Sequence, residues 1–144
     1  MKRIYPYLTY AGAIPFIICA ICLVTDIQQL PLIGSVESIL AAYALVISTF
    51  LAGAHWGQHL QMDETPGTIS LPIISNIITV LLWIGFLILS FKLLLLLFVI
   101  AFAVLLMIDY RLFETDFITV HYFRTRLYVS AIVMASLIIA GIYA

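Results

Sequence analysis

The chain alternates long apolar runs with short polar segments, and this pattern gives the first account of its architecture. Charged residues fall almost entirely at the chain ends and between the runs. About 20 apolar residues in a row are what an α-helix needs to cross the hydrocarbon core of a bilayer. The pattern therefore predicts spanning helices over about 8–24, 36–60, 69–89, 93–112 and 121–143.

The third and fourth predicted helices come from one apolar stretch, Ile69 to Ile108. A single helix of about 40 residues would be roughly 60 Å long, which is twice the thickness of the hydrocarbon core. The stretch must therefore fold back on itself. The polar interruption near its middle, Ser90-Phe91-Lys92, predicts a tight turn between two helices.

The first run follows Lys2 and Arg3, and a basic segment before an apolar run is also typical of a cleaved signal peptide. However, no small-residue cleavage site precedes the polar segment that begins at Thr25, and Pro15 lies inside the run. Membrane helices tolerate proline where neighbouring helices cover the freed carbonyl group. We therefore expect a retained, kinked helix.

Composition excludes a soluble globular domain. The 144 residues are 65% hydrophobic and 9% charged, whereas a soluble domain is about half apolar and about a quarter charged. No basic stretch indicates nucleic-acid binding, and no hydrophilic segment is long enough to form a second domain. Cys19 and Cys22 lie in an apolar run and are expected to pack as small hydrophobic residues. The predicted fold is an all-α membrane protein, a single bundle of five helices over residues 1–144, with the lipid bilayer as a partner.

The distribution of basic residues predicts the orientation of this bundle. If the N-terminus is cytoplasmic, five of the six lysine and arginine residues lie at the cytoplasmic face, and Lys92 lies outside. Cytoplasmic segments of membrane proteins carry the excess of basic residues. We therefore expect the N-terminus inside and the C-terminus outside.

In this topology several polar residues share one depth, because the ends of the second and fourth helices and the start of the fifth lie at the cytoplasmic face. We predict a polar pocket there. Its expected lining residues are His55, Trp56, Gln58, His59, Asp109, Tyr122 and Arg126.

Asp109 and Arg126 lie about one turn inside their predicted helices, where an ionised group costs several kcal/mol unless it is paired or hydrated. We predict that the two form an ion pair, because the planar guanidinium group of arginine can hold a carboxylate with two hydrogen bonds. His55 is the expected hydrogen-bond partner nearby.

Two glycines lie beside and among these polar residues on the second helix. Gly53 and Gly57 have the small-xxx-small spacing that lets two membrane helices approach closely, and we assign them to helix packing. Trp56 is a residue type that anchors helix ends at the headgroup level.

Cofactor binding is a further possibility for the histidines. His55 and His59 stand one turn apart, and Asp109 or His121 would complete a metal site. His55 and His121 on different helices would suit a b-type haem. We expect neither metal nor haem, because the helix lacks the acidic residue of a zinc-protease motif and the haem pair would lie close to the interface. Nucleophilic catalysis is also unsupported, since no serine or cysteine neighbours a histidine in a known arrangement.

Several of these segments together resemble a family of small bacterial and mitochondrial membrane proteins of unknown function, which includes mitochondrial transmembrane protein 69. The resemblance lies in Tyr10–Phe16, Tyr43–Gly57, the lone Asp109, and Tyr122 with Arg126. Its most specific part is Phe50–Gly57. The resemblance implies a multi-pass protein of the bacterial inner membrane, or of the mitochondrial inner membrane in a eukaryote, and it implies no activity.

Three classes of function follow. The pocket would bind or pass a proton, a small ion or a polar headgroup. Alternatively, the chain would be a structural partner of a larger inner-membrane complex or form a homo-oligomer. An intramembrane enzyme ranks last, because it needs a nucleophile or a metal.

Overall fold

The computed structural model describes residues 5–60, 66–116 and 118–144. Within these ranges the chain forms five long helices joined by short connections. They are α1 (Tyr5–Val24), α2 (Val36–His59), α3 (Pro66–Ile88), α4 (Phe91–Glu114) and α5 (Val120–Tyr143). Each is long and apolar enough to cross a membrane, which confirms the predicted all-α class and its five spanning helices.

The helix ends differ from the predicted ends by up to three residues. The first helix begins at Tyr5 and the third at Pro66, because polar residues near a helix end extend the helix without lengthening the apolar run. Ser35 caps α2 by accepting a hydrogen bond from the backbone of Ser38, and Thr119 caps α5 in the same way. These caps satisfy N–H groups that have no partner inside the helix.

The connection between α1 and α2 contains a small hairpin that the apolar pattern does not predict. Strands β1 (Gln29–Leu30) and β2 (Gly34–Ser35) pair antiparallel. Leu32 in the turn and Gly34 at the start of β2 have positive φ, and the φ of +115° at Gly34 is readily adopted only by glycine.

The helix packing leaves α2 and α5 without close contact among the described residues. The fifth helix packs mainly against α1 and α4, while α2 packs against α3, α1 and α4. Among the described residues, no extensive packing joins α2 directly to α5. Side chains of α1 and α4 reach the space between these two helices, and this space contains the site described below.

The centre of the bundle is closed by aromatic and aliphatic side chains. Phe16 contacts the rings of Tyr43 and Phe102, with centroids 5.1 and 5.9 Å apart. Phe98 and Leu137 are fully buried deeper in the bundle. Cys19 and Cys22 are free thiols that lie buried in this core, as expected for packing residues.

The outer surface of the bundle is strongly apolar. Many large hydrophobic side chains are exposed along every helix. A soluble protein rarely shows apolar patches of this extent, whereas a membrane protein presents them to lipid tails. Burial and composition therefore agree on a bundle that is surrounded by lipid.

Candidate functional site

A buried ion pair with a histidine lies near one end of the bundle. Asp109 Oδ2 accepts a hydrogen bond from Arg126 Nε at 3.1 Å, and His55 Nε2 lies 2.9 Å from Asp109 Oδ1. An ionised carboxylate only accepts hydrogen bonds, so Nε2 of His55 carries the proton and donates it. We call these three residues the polar triad.

The helix ends place the triad at one level. His55 lies four residues before the end of α2, Asp109 five before the end of α4, and Arg126 six after the start of α5. At 1.5 Å per residue all three lie about 6–9 Å inside their helix ends. We call this end, which also holds the start of α1, the triad end of the bundle.

The triad is almost completely shielded. Asp109 is 1% exposed, His55 3% and Arg126 6%. A lone charge at such a position is expensive, and the pairing of opposite charges with additional hydrogen bonds is what makes it tolerable. The predicted pairing of Asp109 with Arg126, and the nearby position of His55, match the geometry.

Asp109 links two helices that do not pack on each other. Its carboxylate on α4 takes one hydrogen bond from α2, through His55, and one from α5, through Arg126. The stacked rings of Phe113 and Phe123, 5.2 Å apart, hold α4 against α5 close by. The carboxylate therefore fixes the relative placement of three helices at the triad end.

Several buried polar atoms near the triad lack a hydrogen-bond partner within the described protein. They are His55 Nδ1, Gln58 Oε1, Arg126 Nη2 and Ser130 Oγ. Native proteins leave few such atoms, and each one indicates an unseen partner or a functional role.

Ser130 differs from the other buried serines of the bundle. The hydroxyls of Ser48, Ser75 and Ser136 each donate to the carbonyl four residues earlier, at 2.6, 2.9 and 2.9 Å. This is the usual arrangement of serine in a membrane helix. Ser130 makes no such bond, although it is equally buried. Its hydroxyl is therefore available to another group.

Arg126 and Ser130 both line a cavity of about 210 Å³ between α1, α2 and α5. Most of the wall is apolar, and its remaining lining residues are Leu8, Thr9, Gly12, Phe16, Ile47, Phe50, Leu51, Ala54, Phe102, Tyr122, Val129 and Val133. Leu8 and Phe50 are 66% and 70% exposed. The cavity therefore opens sideways, between α1 and α2, toward the surrounding lipid.

The structure distributes the other predicted pocket residues over different surfaces. Tyr122 lines the cavity, as Arg126 does. Trp56 instead lines a separate groove between α2 and α3, because it points away from α5. Gln58 is half-buried, and His59 lies in the last turn of α2, with its side chain outside the described part. The structure thus brings the three triad residues together and places Tyr122 in the same cavity as Arg126, whereas Trp56 is not part of that cavity.

Gly53 and Gly57 lie on an exposed face of α2. No described atom comes within 4 Å of a Cβ built on either glycine, apart from neighbours along the helix. The described chain therefore does not use them for the close helix approach that their spacing predicts. Packing against another chain stays a prediction.

The described residues do not assemble a metal-binding cluster of three or more histidine, cysteine or acidic side chains. His55 directs Nε2 at Asp109, and His121 is exposed at the start of α5 and has its own interactions. The absence of metal and haem stays a prediction.

Comparison with models of protein families gives a match over nearly the whole chain. The model of a family described as "Protein of unknown function (DUF3429)" matches residues 1–142. No curated protein and no solved structure matches the chain. Because the family match covers nearly every residue, including the triad and all five helices, this multi-pass membrane protein belongs to the DUF3429 family of proteins of unknown function.

Proposed function

We propose that this protein binds the polar end of a lipid-soluble ligand in the cavity beside Arg126. The observation that supports this proposal is the pair of buried donors, Arg126 Nη2 and Ser130 Oγ, which have no hydrogen-bond partner among the described residues and border an open cavity. The proposed setting is the bacterial inner membrane, or the mitochondrial inner membrane in a eukaryote, with the triad end facing the cytoplasm or the matrix. Kinship with mitochondrial transmembrane protein 69 remains part of the same proposal.

The triad presents Arg126 to the cavity. Asp109 holds Nε of the guanidinium group, and this single bond leaves Nη2 free to donate elsewhere. A buried donor without a partner costs about 1–3 kcal/mol. A ligand that supplies an acceptor to Nη2 at the cavity wall removes this cost, and its binding is stabilised by that amount.

Binding fits the interior better than passage across the bilayer. Phe16 and Phe102 form part of the cavity wall and are fully buried, and Phe98 and Leu137 close the core beyond them. A small ion would therefore meet apolar packing immediately beyond the cavity. Binding or passage of a proton or a small ion is therefore a weaker proposal than binding of a polar headgroup.

Native mass spectrometry of the protein in mild detergent tests this function. The wild-type protein should keep a bound small molecule after purification. Ala54→Phe should lose it, because Ala54 lines the cavity and is exposed, so that a larger ring fills the opening without disturbing the core. Ala131→Phe, an exposed position on α5 outside the cavity lining, is the matched control and should keep the molecule. Equal spectra for Ala54→Phe and the control would contradict the proposal.

A second candidate function is assembly with another membrane protein or with a second copy of the chain. It is favoured by Gly53 and Gly57, whose open surroundings leave room for the backbone of another helix. The neighbouring groove between α2 and α3, lined by Trp56 and Asn76 among others, gives the same face a concave shape.

A further inference from the structure

The geometry points to the chemical class of the ligand: we infer that the cavity takes the ring of a membrane-soluble quinone, with one carbonyl oxygen at Arg126 Nη2 and Ser130 Oγ. This inference rests on the proposed binding function and names its ligand. It draws on the two hydrogen-bond donors, the charge balance, and the volume and lining of the cavity.

The two donors suit a single carbonyl oxygen. Arg126 and Ser130 are four residues apart on α5, so they lie on one helix face, and both line the same cavity. Nη2 offers N–H groups and Oγ offers one O–H group. A carbonyl oxygen has two lone pairs and can accept one hydrogen bond from each donor. Both unpartnered atoms would then be satisfied by one atom of the ligand.

The charge balance favours a neutral ligand. Asp109 and Arg126 already neutralise each other, and Arg126 is the only cation among the described lining residues. A carboxylate or phosphate in the cavity would leave a net negative charge in a poorly solvated space, which is unfavourable without a further cation. A carbonyl compound adds no charge and leaves the ion pair unchanged.

The cavity has the volume and the walls for a flat ring. Four aromatic side chains line it, namely Phe16, Phe50, Phe102 and Tyr122, and aromatic rings pack well against flat π-systems. A dry cavity of about 150 Å³ accepts one benzene ring, so the volume of about 210 Å³ found here suits a substituted ring.

The opening suits a ligand that stays partly in the membrane. The exposed Leu8 and Phe50 mark a side entrance from lipid rather than from water. A quinone ring would enter between α1 and α2 while its isoprenoid tail remained among the lipid tails. A phospholipid headgroup is less suitable, because it is charged and cannot leave the interface easily.

Equilibrium titration with decylubiquinone tests the inference. The purified protein is placed in lipid nanodiscs, and the heat of decylubiquinone binding is followed by calorimetry. A saturable component is expected for the wild-type protein. Ser130→Ala should weaken binding about five-fold, as expected for the loss of one hydrogen bond. Ala54→Phe should abolish saturable binding. Ser136→Ala is the matched control, because that hydroxyl bonds to Ile132 O and lies outside the cavity lining, and it should bind like the wild-type protein.

A parallel titration with dodecanoate separates the possible failures. One outcome is that decylubiquinone shows no saturable binding while the wild-type protein binds dodecanoate or a co-purified molecule and Ala54→Phe does not. In that case the ligand class is wrong and the proposed binding function stands. If neither probe binds and no molecule co-purifies, both proposals fail. Saturable quinone binding that both cavity variants leave unchanged would place the ring elsewhere and overturn the inference.

Discussion

Asp109 is the residue whose side chain holds the helices together at the triad end. Both of its oxygens are used, one by His55 of α2 and one by Arg126 of α5. Because the group is 1% exposed, water cannot replace either partner. The contacts of a single side chain therefore determine both the folding of this end and the position of the free Arg126 nitrogen.

The ion pair should show strong coupling in a double-mutant cycle. Asp109→Leu and Arg126→Leu should each lower the free energy of unfolding by about 3–5 kcal/mol, because each leaves a buried charge without its partner. The free energy of unfolding should fall less in the double variant than in either single variant, since neither charge of the pair remains buried. Unfolding of the protein in bicelles measures all three values, with Ser136→Ala as a control of small effect. Losses that simply add up would show that the two charges are not paired.

At the residue scale, the sequence predicts the triad but not Ser130. An aspartate and an arginine at equal depth in hydrocarbon have few alternatives to pairing, so their contact follows from charge and topology. A serine in a membrane helix usually bonds to its own backbone, as Ser48 does. Tertiary packing determines whether a particular serine, such as Ser130, lacks this hydrogen bond to its own backbone. The separation of Trp56 from the cavity likewise depends on helix rotation, which the depth of a residue does not determine.

At the element scale, the helices follow from the lengths of the apolar runs. The turn between α3 and α4 lies next to Ser90, within the polar interruption of the long apolar stretch. By contrast, the hairpin of β1 and β2 has only two residues in each strand. Strands this short carry no measurable alternation of apolar and polar residues, so the hairpin is visible only in the structure.

The exposed glycine face of α2 gives a prediction for this element. The double variant Gly53→Leu/Gly57→Leu should not lower the free energy of unfolding of the monomer by more than about 0.5 kcal/mol, because both positions are open within the described chain. If the face meets another chain, the same variant should lose the cross-linked species that the wild-type protein forms in native membranes. Ala131→Leu, which is exposed on α5, serves as the control.

A loss of monomer stability above about 2 kcal/mol in that double variant would show that the glycines serve packing within the chain. Unchanged stability together with unchanged cross-linking would remove this face from the assembly proposal. The two measurements therefore separate an internal role of the glycines from an external one.

At the scale of the whole molecule, the helices form two unequal groups. The third helix packs mainly on α2, whereas α1 and α4 both pack on α5. Contacts of α2 with α1 and α4 join the groups. The sequence predicts the number and order of the helices, but not this grouping, because lipid-facing and buried sides are nearly equally apolar.

The orientation of the molecule can be measured directly. A green fluorescent protein fused after Ala144 should remain dark in bacterial cells when exported in unfolded form, and alkaline phosphatase at the same place should be active. The expectation follows from the excess of basic residues at the triad end, with Lys92 at the opposite end. Fluorescent cells with an inactive phosphatase fusion would place the C-terminus inside and reverse the assignment.

The indirect connection between α2 and α5 has a kinetic consequence. These helices meet at the triad end through the Asp109 carboxylate rather than through interlocked side chains. A ligand in the cavity therefore occupies space between α2 and α5 without separating an interlocked helix pair there. Exchange of the ligand would then be limited by rotation of the exposed side chains of Leu8 and Phe50. Such rotation takes picoseconds to nanoseconds, whereas movement of whole helices takes microseconds or longer.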